Sequence, residues 1–379
     1  MKNINKKALS LVLVGIGRVA QKHAKAVKHL KGLYNIVALV DKKTENKENL
    51  NEKFKLNLQS DFLLDDLNEV YQKGLNPDVV AISTPSGTHY ALAKLALENN
   101  SNVLIEKPLT LNLKEAHELV NLAKEKNLKI AVGHIYRFFP LVKILQEEIK
   151  AGKWGKVLSA NILVHWGHDQ AYYDQAAWRG SWAQDGGVLM NQTVHALDLM
   201  TWLLSSNVSK VQGNIKQLYH EMEAEDYGTA ILTMDKGYIC RVEGTTNTPE
   251  KNPSASFYIS TEKAEIKAGI EKKKPYVSIV TRDGKKLGAK YIRSFIGDML
   301  KNGFIRSLNE FSNPHTGIYK DLAVAIVEDR EPRANGLDGL LSVECILAIY
   351  QSALEGGAVI DLPLNTDFTL EKMKGFFDN

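Results

Sequence analysis

The stretch Ser10-Leu-Val-Leu-Val-Gly-Ile-Gly-Arg-Val-Ala20 begins as an apolar strand pattern, breaks at two glycines spaced G-x-G-x-x-A, and continues as a helical pattern. Gly15 permits the tight turn, Gly17 lets the backbone approach a bound group closely, and the small Ala20 keeps the helix against the sheet. The N-terminus of a helix in this position attracts an anion such as a pyrophosphate. The spacing therefore predicts a Rossmann strand, loop and helix that bind a dinucleotide.

An acidic residue ends the second predicted strand. The strand covers 36–40, and Asp41 follows it about two dozen residues after Gly17, where such folds bind the ribose hydroxyls of a dinucleotide. A carboxylate at this position repels a 2'-phosphate, so we expect NAD rather than NADP. A helix-capping role for Asp41 is the alternative, and the neighbouring cations Lys42 and Lys43 would tolerate a phosphate.

The composition is that of a globular chain. It has 379 residues, 44% of them apolar and 24% charged, and a formal net charge of +4. This length predicts two domains, and the balanced charge provides no basic stripe for nucleic acid. The N-terminal apolar stretch is too short to span a membrane, so we expect a cytoplasmic protein without membrane association. Cys240 and Cys345 are expected to be reduced core thiols.

Strand and helix patterns alternate with short connections up to residue 133, which predicts a parallel, doubly wound sheet. Longer strands at hairpin spacing follow, and Met234–Tyr238 and Thr281–Lys285 have the pattern of tight turns between strands. We therefore predict an α/β Rossmann domain over 1–133. An α+β domain with a large open, mostly antiparallel sheet is predicted over 134–379. Helical patterns then cover 295–311, 315–328 and 337–354, and a short strand pattern covers 358–362.

Five motifs occur in a characteristic order: Gly15–Ala20, Thr84-Pro-Ser-Gly-Thr-His89, Glu106-Lys-Pro-Leu109, Val132-Gly-His-Ile-Tyr-Arg137 and Gly186–Asp198. Together they resemble the family of glucose-fructose oxidoreductase, inositol dehydrogenase and MocA proteins. The resemblance extends to the two late helices. It implies a nucleotide domain and a catalytic domain whose open sheet makes a homodimer or homotetramer contact, with the C-terminal helices packing back on the first domain.

Lys107 lies outside the carboxyl end of a predicted parallel strand, which is where ligands bind in doubly wound sheets. A partly desolvated lysine has a lowered pKa and can deprotonate a hydroxyl group. A surface lysine before a proline turn is the alternative from the residues alone, whereas the resemblance implies a catalytic lysine. The isomer of the Lys107–Pro108 bond cannot be assigned from sequence.

His195 lies in the apolar helical run 194–204, where a buried core histidine is the common interpretation. Asn191 stands four residues earlier and would share its helix face, and Gly186 and Gly187 allow a close backbone approach. The resemblance implies that His195 is the catalytic histidine. Many relatives carry Asp where this chain has Asn191, so it stays open whether Lys107 or His195 takes the proton.

The segment 165–182 is rich in aromatic and hydrogen-bonding side chains, including Trp178 and Arg179. Aromatic rings stack on sugar faces, and Arg binds phosphate or carboxylate in a fork. An aromatic packing loop is the alternative. His165 and His168 form an incomplete ligand set, so we predict no metal. The end of this segment, Trp178–Trp182, together with Asp185–Gly187 and Met190–His195, looks most like the branch of the family that oxidises C3 of UDP-N-acetylglucosamine or its uronic acid.

The resemblance implies the remaining site residues. The cofactor would contact Gly15, Gly17, Arg18, Val19, Asp41, Thr84, Pro85, His89, Glu106 and Lys107. The substrate would contact Tyr136, Arg137, Trp178, Arg179, Asn191, Gln192 and His195. We expect hydride transfer from a sugar ring carbon to nicotinamide. The alternatives are an inositol or free monosaccharide dehydrogenase and a non-catalytic cofactor-binding regulator.

Overall fold

The computed structural model describes residues 8–272, 274–301, 308, 312–364 and 368–378. These residues form two compact units. The first contains residues 8–110, 114–138, 308 and 312–340. The second contains 111–113, 139–301 and 341–378, apart from the gaps just given. The segment 312–340 therefore belongs with the N-terminal part of the chain.

The first unit is built on a six-stranded parallel sheet with the order β3-β2-β1-β4-β5-β6. Its strands are β1 (Leu9–Val14), β2 (Tyr34–Val40), β3 (Leu63–Leu64), β4 (Val79–Ile82), β5 (Asn102–Ile105) and β6 (Ile130–Val132). Its helices, with labels in chain order, are α1 (Ala20–His29), α2 (Thr44–Phe54), α3 (Leu67–Gln72), α4 (His89–Glu98), α5 (Leu113–Glu125) and α10 (His315–Glu328). The central strands are apolar and buried on both faces because helices cover both faces of such a sheet.

The second unit contains an eight-stranded sheet with the order β13-β12-β11-β7-β10-β9-β8-β14. Its strands are β7 (Val157–His165), β8 (Val208–Lys216), β9 (Tyr227–Met234), β10 (Ile239–Thr245), β11 (Ser254–Thr261), β12 (Ala264–Glu271), β13 (Lys274–Thr281) and β14 (Ile360–Asp361). Its helices are α6 (Pro140–Lys150), α7 (Gln170–Asp174), α8 (Val194–Leu204) and α9 (Gly288–Lys301). A further helix, α11 (Gly336–Leu354), begins in the first unit and continues into the second.

The predicted fold class is confirmed. The large sheet is antiparallel except that β7 and β10 pair in parallel. Side chains alternate between its two faces, so one face is buried while the other exposes Leu163, Ile231 and Ile239 by 41%, 46% and 49%. This second face is the open face of the sheet.

The predicted turn at 234–238 joins β9 to β10, and Met234 N–H donates to the Tyr238 carbonyl. The prediction for 281–285 was wrong in part. The turn forms, but the chain then makes a single bridge between Val280 and Lys286 and enters α9 at Gly288. Apolar residues spaced four apart after Gly288 favour this helix over a strand. The predicted helix 295–311 overlaps α9, and its residues 302–307 and 309–311 lie outside the described part.

Of the helices in the described ranges, α11 alone is long and apolar enough to cross a membrane, and 72% of its apolar window is buried inside the protein. The core helices of soluble proteins have the same character. Cys240 and Cys345 are both buried and unbridged. Burial raises the pKa of the Cys240 thiol to about 12, which makes it a poor nucleophile.

Candidate functional site

The glycine loop of the first unit has the shape that a dinucleotide requires. Gly15 has a φ of +82°, and a Cβ at this position would lie 2.7 Å from Cγ2 of Thr84. A Cβ on Gly17 would meet nothing within 4 Å, and Arg18 is exposed beside it while Val19 is half-buried. The loop thus packs tightly on its β4 side and leaves backbone accessible where phosphates bind. The residues present fit a bound dinucleotide.

Asp41 supports this loop from the end of β2. Its Oδ2 accepts the Ile16 N–H at 2.6 Å, and its Oδ1 accepts the Lys43 N–H at 2.7 Å. The carboxylate therefore fixes the glycine loop. The N-cap residue of α2 is Lys43, and no side-chain hydrogen bond caps this helix, so the structure does not show the capping role considered for Asp41. Its contact with a ribose stays a prediction.

The loop after β4 carries Thr84, Pro85 and His89. Thr84 and Pro85 are half-buried, whereas only 1% of the His89 surface is exposed. The His89 ring lies between two carbonyl groups, with Nδ1 2.8 Å from the Pro108 oxygen and Nε2 3.0 Å from the Thr84 oxygen. Burial lowers the pKa of His89, although both carbonyl groups favour the protonated ring. His89 thus connects the Thr84 loop to the turn that contains Lys107, and its predicted cofactor contact is untested.

Glu106 and Lys107 follow β5, as predicted, and the Lys107–Pro108 peptide bond is cis. Lys107 is half-buried. The Glu106 carboxylate accepts hydrogen bonds from His23 and His315. Burial alone would raise the pKa of Glu106, but these two bonds outweigh it and hold the pKa well below its usual range. In the described residues these three side chains are the one group of potential metal ligands, within 4.8 Å of one another.

Two predicted substrate residues lie after β6. Tyr136 is half-buried, and burial raises its pKa. Arg137 is only 2% exposed, and its Nη1 lies 2.9 Å from Oδ2 of Asp338 and donates to the Arg333 carbonyl at 2.8 Å. These partners are sufficient to explain its burial. A substrate contact from Arg137 stays a prediction.

In the second unit, Asn191 and Gln192 lie on a π-helical turn, Leu189–Thr193, that leads directly into α8 and His195. All three side chains are half-buried. The predicted helix is present, but its first turn is π-helical, a feature that is frequent at functional sites. Nδ2 of Asn191 donates to Oδ1 of Asp185 at 2.6 Å. Asp185 is 3% exposed, and the sequence analysis gave it no role of its own.

Glu225 fixes the start of this π-helical turn and was also missed. Its Oε1 accepts the Leu189 N–H at 2.8 Å and the Tyr350 hydroxyl at 2.9 Å, and its carbonyl accepts the Val188 N–H. A Cβ on Gly187 would lie 2.1 Å from Oε2, so only glycine fits there. Burial raises the pKa of Glu225 to about 8. The carboxyl group is therefore mostly protonated at neutral pH.

The aromatic segment forms an ordered stack. The rings of His168 and Tyr172 stack with centroids 3.7 Å apart, and the Arg179 guanidinium lies 4.3 Å from the Tyr172 ring and 4.4 Å from that of Trp178. Arg179 also donates from Nη1 to the Tyr172 hydroxyl at 2.8 Å. In the described part of the chain, its buried Nε has no hydrogen-bond partner. His165 lies outside this stack, and its Nε2 is 2.7 Å from Oε1 of Glu243 on the neighbouring strand.

Two family models match most of the chain. Residues 9–134 match the oxidoreductase family with an NAD-binding Rossmann fold, and residues 142–267 match the C-terminal domain of the same Gfo/Idh/MocA group. Both matches fall on the elements that carry the predicted site residues.

Three similar proteins illustrate the range of relatives. The UDP-N-acetylglucosamine 3-dehydrogenase of Acidithiobacillus ferrooxidans is 30% identical over 44% of this chain and 47% of its own length. The scyllo-inositol 2-dehydrogenase (NAD(+)) of Bacillus subtilis is 28% identical over 49% of this chain and 53% of its own. The chain thus spans about half the length of these curated relatives. The WlbA dehydrogenase of Bordetella pertussis, crystallised with NADH and UDP-GlcNAcA, is 26% identical, with a TM-score of 0.78 and coverage of 95% of this chain and 100% of WlbA.

The neutral carboxyl group of Glu225 predicts a specific pH dependence of stability. Its pKa is about 8 in the folded protein and 4.5 in a free side chain, so the folded state binds the proton more tightly. The stability that the folded protein gains from this more tightly bound proton is fully present below pH 4.5 and is lost as the pH rises toward 8. Glu225→Gln keeps an acceptor at Oε1 without a titrating group. Its free energy of unfolding should gain on the order of 4 kcal/mol relative to wild type between pH 5 and pH 8. Urea unfolding at several pH values measures this, with the exposed Glu221→Gln as control; parallel curves for wild type and Glu225→Gln would contradict it.

Proposed function

Because the chain belongs to the Gfo/Idh/MocA oxidoreductase family, we propose that it is an NAD-dependent dehydrogenase acting on a nucleotide-linked amino sugar. The proposed substrate is UDP-N-acetylglucosamine or its uronic acid, and the proposed reaction oxidises the ring hydroxyl at C3. Two similarities support this substrate class. The Acidithiobacillus relative is named for this oxidation, and the Bordetella structure contains UDP-GlcNAcA.

The observation that carries the substrate proposal is the stacked group of His168, Tyr172, Arg179 and Trp178. Contacts with the Tyr172 and Trp178 rings and the hydrogen bond to the Tyr172 hydroxyl restrict the guanidinium group, so less entropy is lost when it binds an anion. A planar guanidinium matches phosphate or carboxylate oxygens in a fork. A pyrophosphate or a uronic acid carboxylate supplies such oxygens, whereas an inositol or a neutral free sugar does not.

In the proposed reaction, bound NAD supplies the carbon that accepts the hydride. Nζ of Lys107 or a ring nitrogen of His195 takes the proton of the sugar hydroxyl. One candidate base lies in each unit. Asn191, fixed by its bond to Asp185, orients the hydroxyl without titrating, and Arg179 holds the distant anionic group so that remote binding energy helps to position the ring carbon.

The second candidate function is an inositol or free monosaccharide dehydrogenase. The similarity to the Bacillus scyllo-inositol 2-dehydrogenase favours it, and it uses the same candidate bases. A non-catalytic cofactor-binding regulator is less well supported, because such a protein has no need of both Lys107 and His195.

We also propose a cytoplasmic homo-oligomer, a dimer or tetramer, that associates through the open face of the eight-stranded sheet. The exposed apolar side chains of that face, Leu163, Ile231 and Ile239, would be removed from water by a second copy. Light scattering of the purified protein should give a mass of two or four chains, and Ile231→Lys should reduce it to one. A monomeric wild-type protein would rule out this assembly.

Removal of either candidate base should lower turnover strongly. Lys107→Ala and His195→Ala should each reduce kcat by roughly a hundredfold or more, because each removes a proton-transfer group while the glycine loop is unchanged. NAD affinity, measured by fluorescence titration, should stay nearly constant. Lys107→Arg keeps the charge but cannot give up a proton near neutral pH, so it tests the base directly. Near-normal turnover in either alanine variant would assign that residue a structural role.

The substrate class is tested with a panel of UDP-sugars, free sugars and inositols, with the absorbance of NADH as the readout. UDP-N-acetylglucosamine or its uronic acid should be a far better substrate than free N-acetylglucosamine. Arg179→Ala should weaken the conjugate by about 1.5 to 3 kcal/mol for each lost charged hydrogen bond and leave free sugars unaffected. Arg179→Lys retains the charge without the fork and should recover only part of this loss. Equal turnover of inositols or free sugars would replace this proposal with the second candidate.

A further inference from the structure

A buried cluster of side chains surrounds Glu106 in the first unit. His23 comes from α1, Glu106 follows β5, and His315 is the first residue of α10. Oε1 of Glu106 lies 3.1 Å from Nε2 of His23 and 3.0 Å from Nε2 of His315. Both imidazoles are almost completely buried, with 1% and 3% of their surfaces exposed. Three elements that are distant in sequence therefore converge on one carboxylate oxygen.

The hydrogen-bond directions in this cluster follow from the chemistry of its members. Hydrogen bonds from both imidazoles hold the pKa of Glu106 well below its usual range against the effect of burial, so its ionised carboxylate can only accept. Nε2 of each histidine must therefore carry a proton. Burial also lowers the pKa of His23 and so disfavours a second proton on its Nδ1. The Tyr319 hydroxyl, 2.9 Å away, donates to that nitrogen.

Other contacts fix the residues on either side of Lys107. Glu106 N–H donates to the Ile82 carbonyl at 2.9 Å, and a Cβ on Gly133 would lie 2.8 Å from Oε2 of Glu106. On the other side, the His89 ring contacts the Pro108 carbonyl at 2.8 Å. The backbone that carries Lys107 is thus held before the lysine by the Ile82 carbonyl and after it by the His89 ring.

We propose that His315 and His23 are positioning residues for Lys107. Their N–H groups keep the Glu106 carboxylate, and with it the start of the Glu106-Lys107-Pro108 turn, in one place, so that Nζ of Lys107 meets the substrate hydroxyl at a fixed distance. A misplacement of about 1 Å at a catalytic group can cost on the order of a hundredfold in rate. This inference rests on the proposed function, in which Lys107 is a candidate base.

Two substitutions at His315 separate the hydrogen bond from the space that the ring fills. In His315→Gln, the amide nitrogen takes the place of Nε2 and can still donate to Glu106. In His315→Leu, a side chain of similar size offers no donor. We expect kcat to fall about tenfold or more in the leucine variant and to return to within about threefold of wild type in the glutamine variant. KM and NAD affinity should change less than about threefold in both.

A second measurement does not require turnover. Reductive methylation with 13C-formaldehyde labels lysine amines, and Lys107→Arg identifies the Lys107 signal in NMR spectra. The chemical shift of this signal should change in His315→Leu, because the turn that carries Lys107 is no longer fixed through Glu106. It should stay at the wild-type value in His315→Gln, which keeps the donor. If wild-type protein oxidises none of the sugars offered, the proposed function fails while this spectrum still decides the inference.

Several outcomes would overturn the proposal. One is an unchanged chemical shift of the Lys107 signal in His315→Leu. Another is an equal loss of kcat, NAD affinity and thermal stability in both variants, which indicates a structural role alone. Stoichiometric metal in purified wild-type protein, absent from the His315 variants, would show that a cation rather than two N–H groups holds Glu106. Should His315→Leu fail to fold, Gly133→Ala displaces Oε2 of Glu106 from the opposite side and should produce a comparable change in the Lys107 signal.

Discussion

The half-buried carboxylate of Glu106 is the charge on which three elements of the first unit converge. It lies at the carboxyl end of β5, and two imidazole N–H groups donate to it in place of part of the water that would otherwise solvate it. Such a charge is tolerated only while its donors stay in place. One side chain therefore connects the helix after the glycine loop, the N-terminus of α10 and the residue before Lys107. The hydrogen bonds that satisfy the Glu106 charge also fix the start of the turn that carries Lys107, the candidate base of this unit.

The second unit contains a buried carboxyl group in the opposite state. Glu225 receives one peptide N–H and one tyrosine hydroxyl, and these do not offset its burial, so its pKa rises to about 8. Near neutral pH it is mostly uncharged, and it accepts the backbone hydrogen bonds that fix the start of the π-helical turn that carries Asn191. The difference between the two acids follows from the type of donor that each meets, two imidazole groups for Glu106 and a peptide N–H and a tyrosine hydroxyl for Glu225. Glu106 precedes Lys107 in the chain, and Glu225 contacts the turn that carries Asn191. Each carboxyl group leaves no room for a side chain at a neighbouring glycine, Gly133 beside Glu106 and Gly187 beside Glu225.

Local pattern predicted the elements of the first unit well, because strand and helix periodicities and the glycine spacing are properties of short segments. It predicted the location of Lys107 from the end of one strand. The contacts that hold the site were not predictable in this way. His315 reaches Glu106 across 209 residues, and Tyr350 reaches Glu225 across 125, so no periodicity relates them. The parallel pairing of β7 with β10 likewise depends on the whole sheet, and the π-helical turn depends on Glu225.

Asp185 gives a physical reason why this chain has asparagine at position 191, where many relatives carry aspartate. An aspartate there would place a second carboxylate 2.6 Å from Oδ1 of Asp185, and like charges at this distance force one of the pair to keep a proton. Asparagine avoids that conflict and donates to Asp185 instead. Because an amide does not titrate near neutral pH, residue 191 cannot itself carry a proton away from the substrate. Proton removal in the proposed reaction therefore falls to Lys107, which directly follows Glu106, or to His195, which follows the π-helical turn.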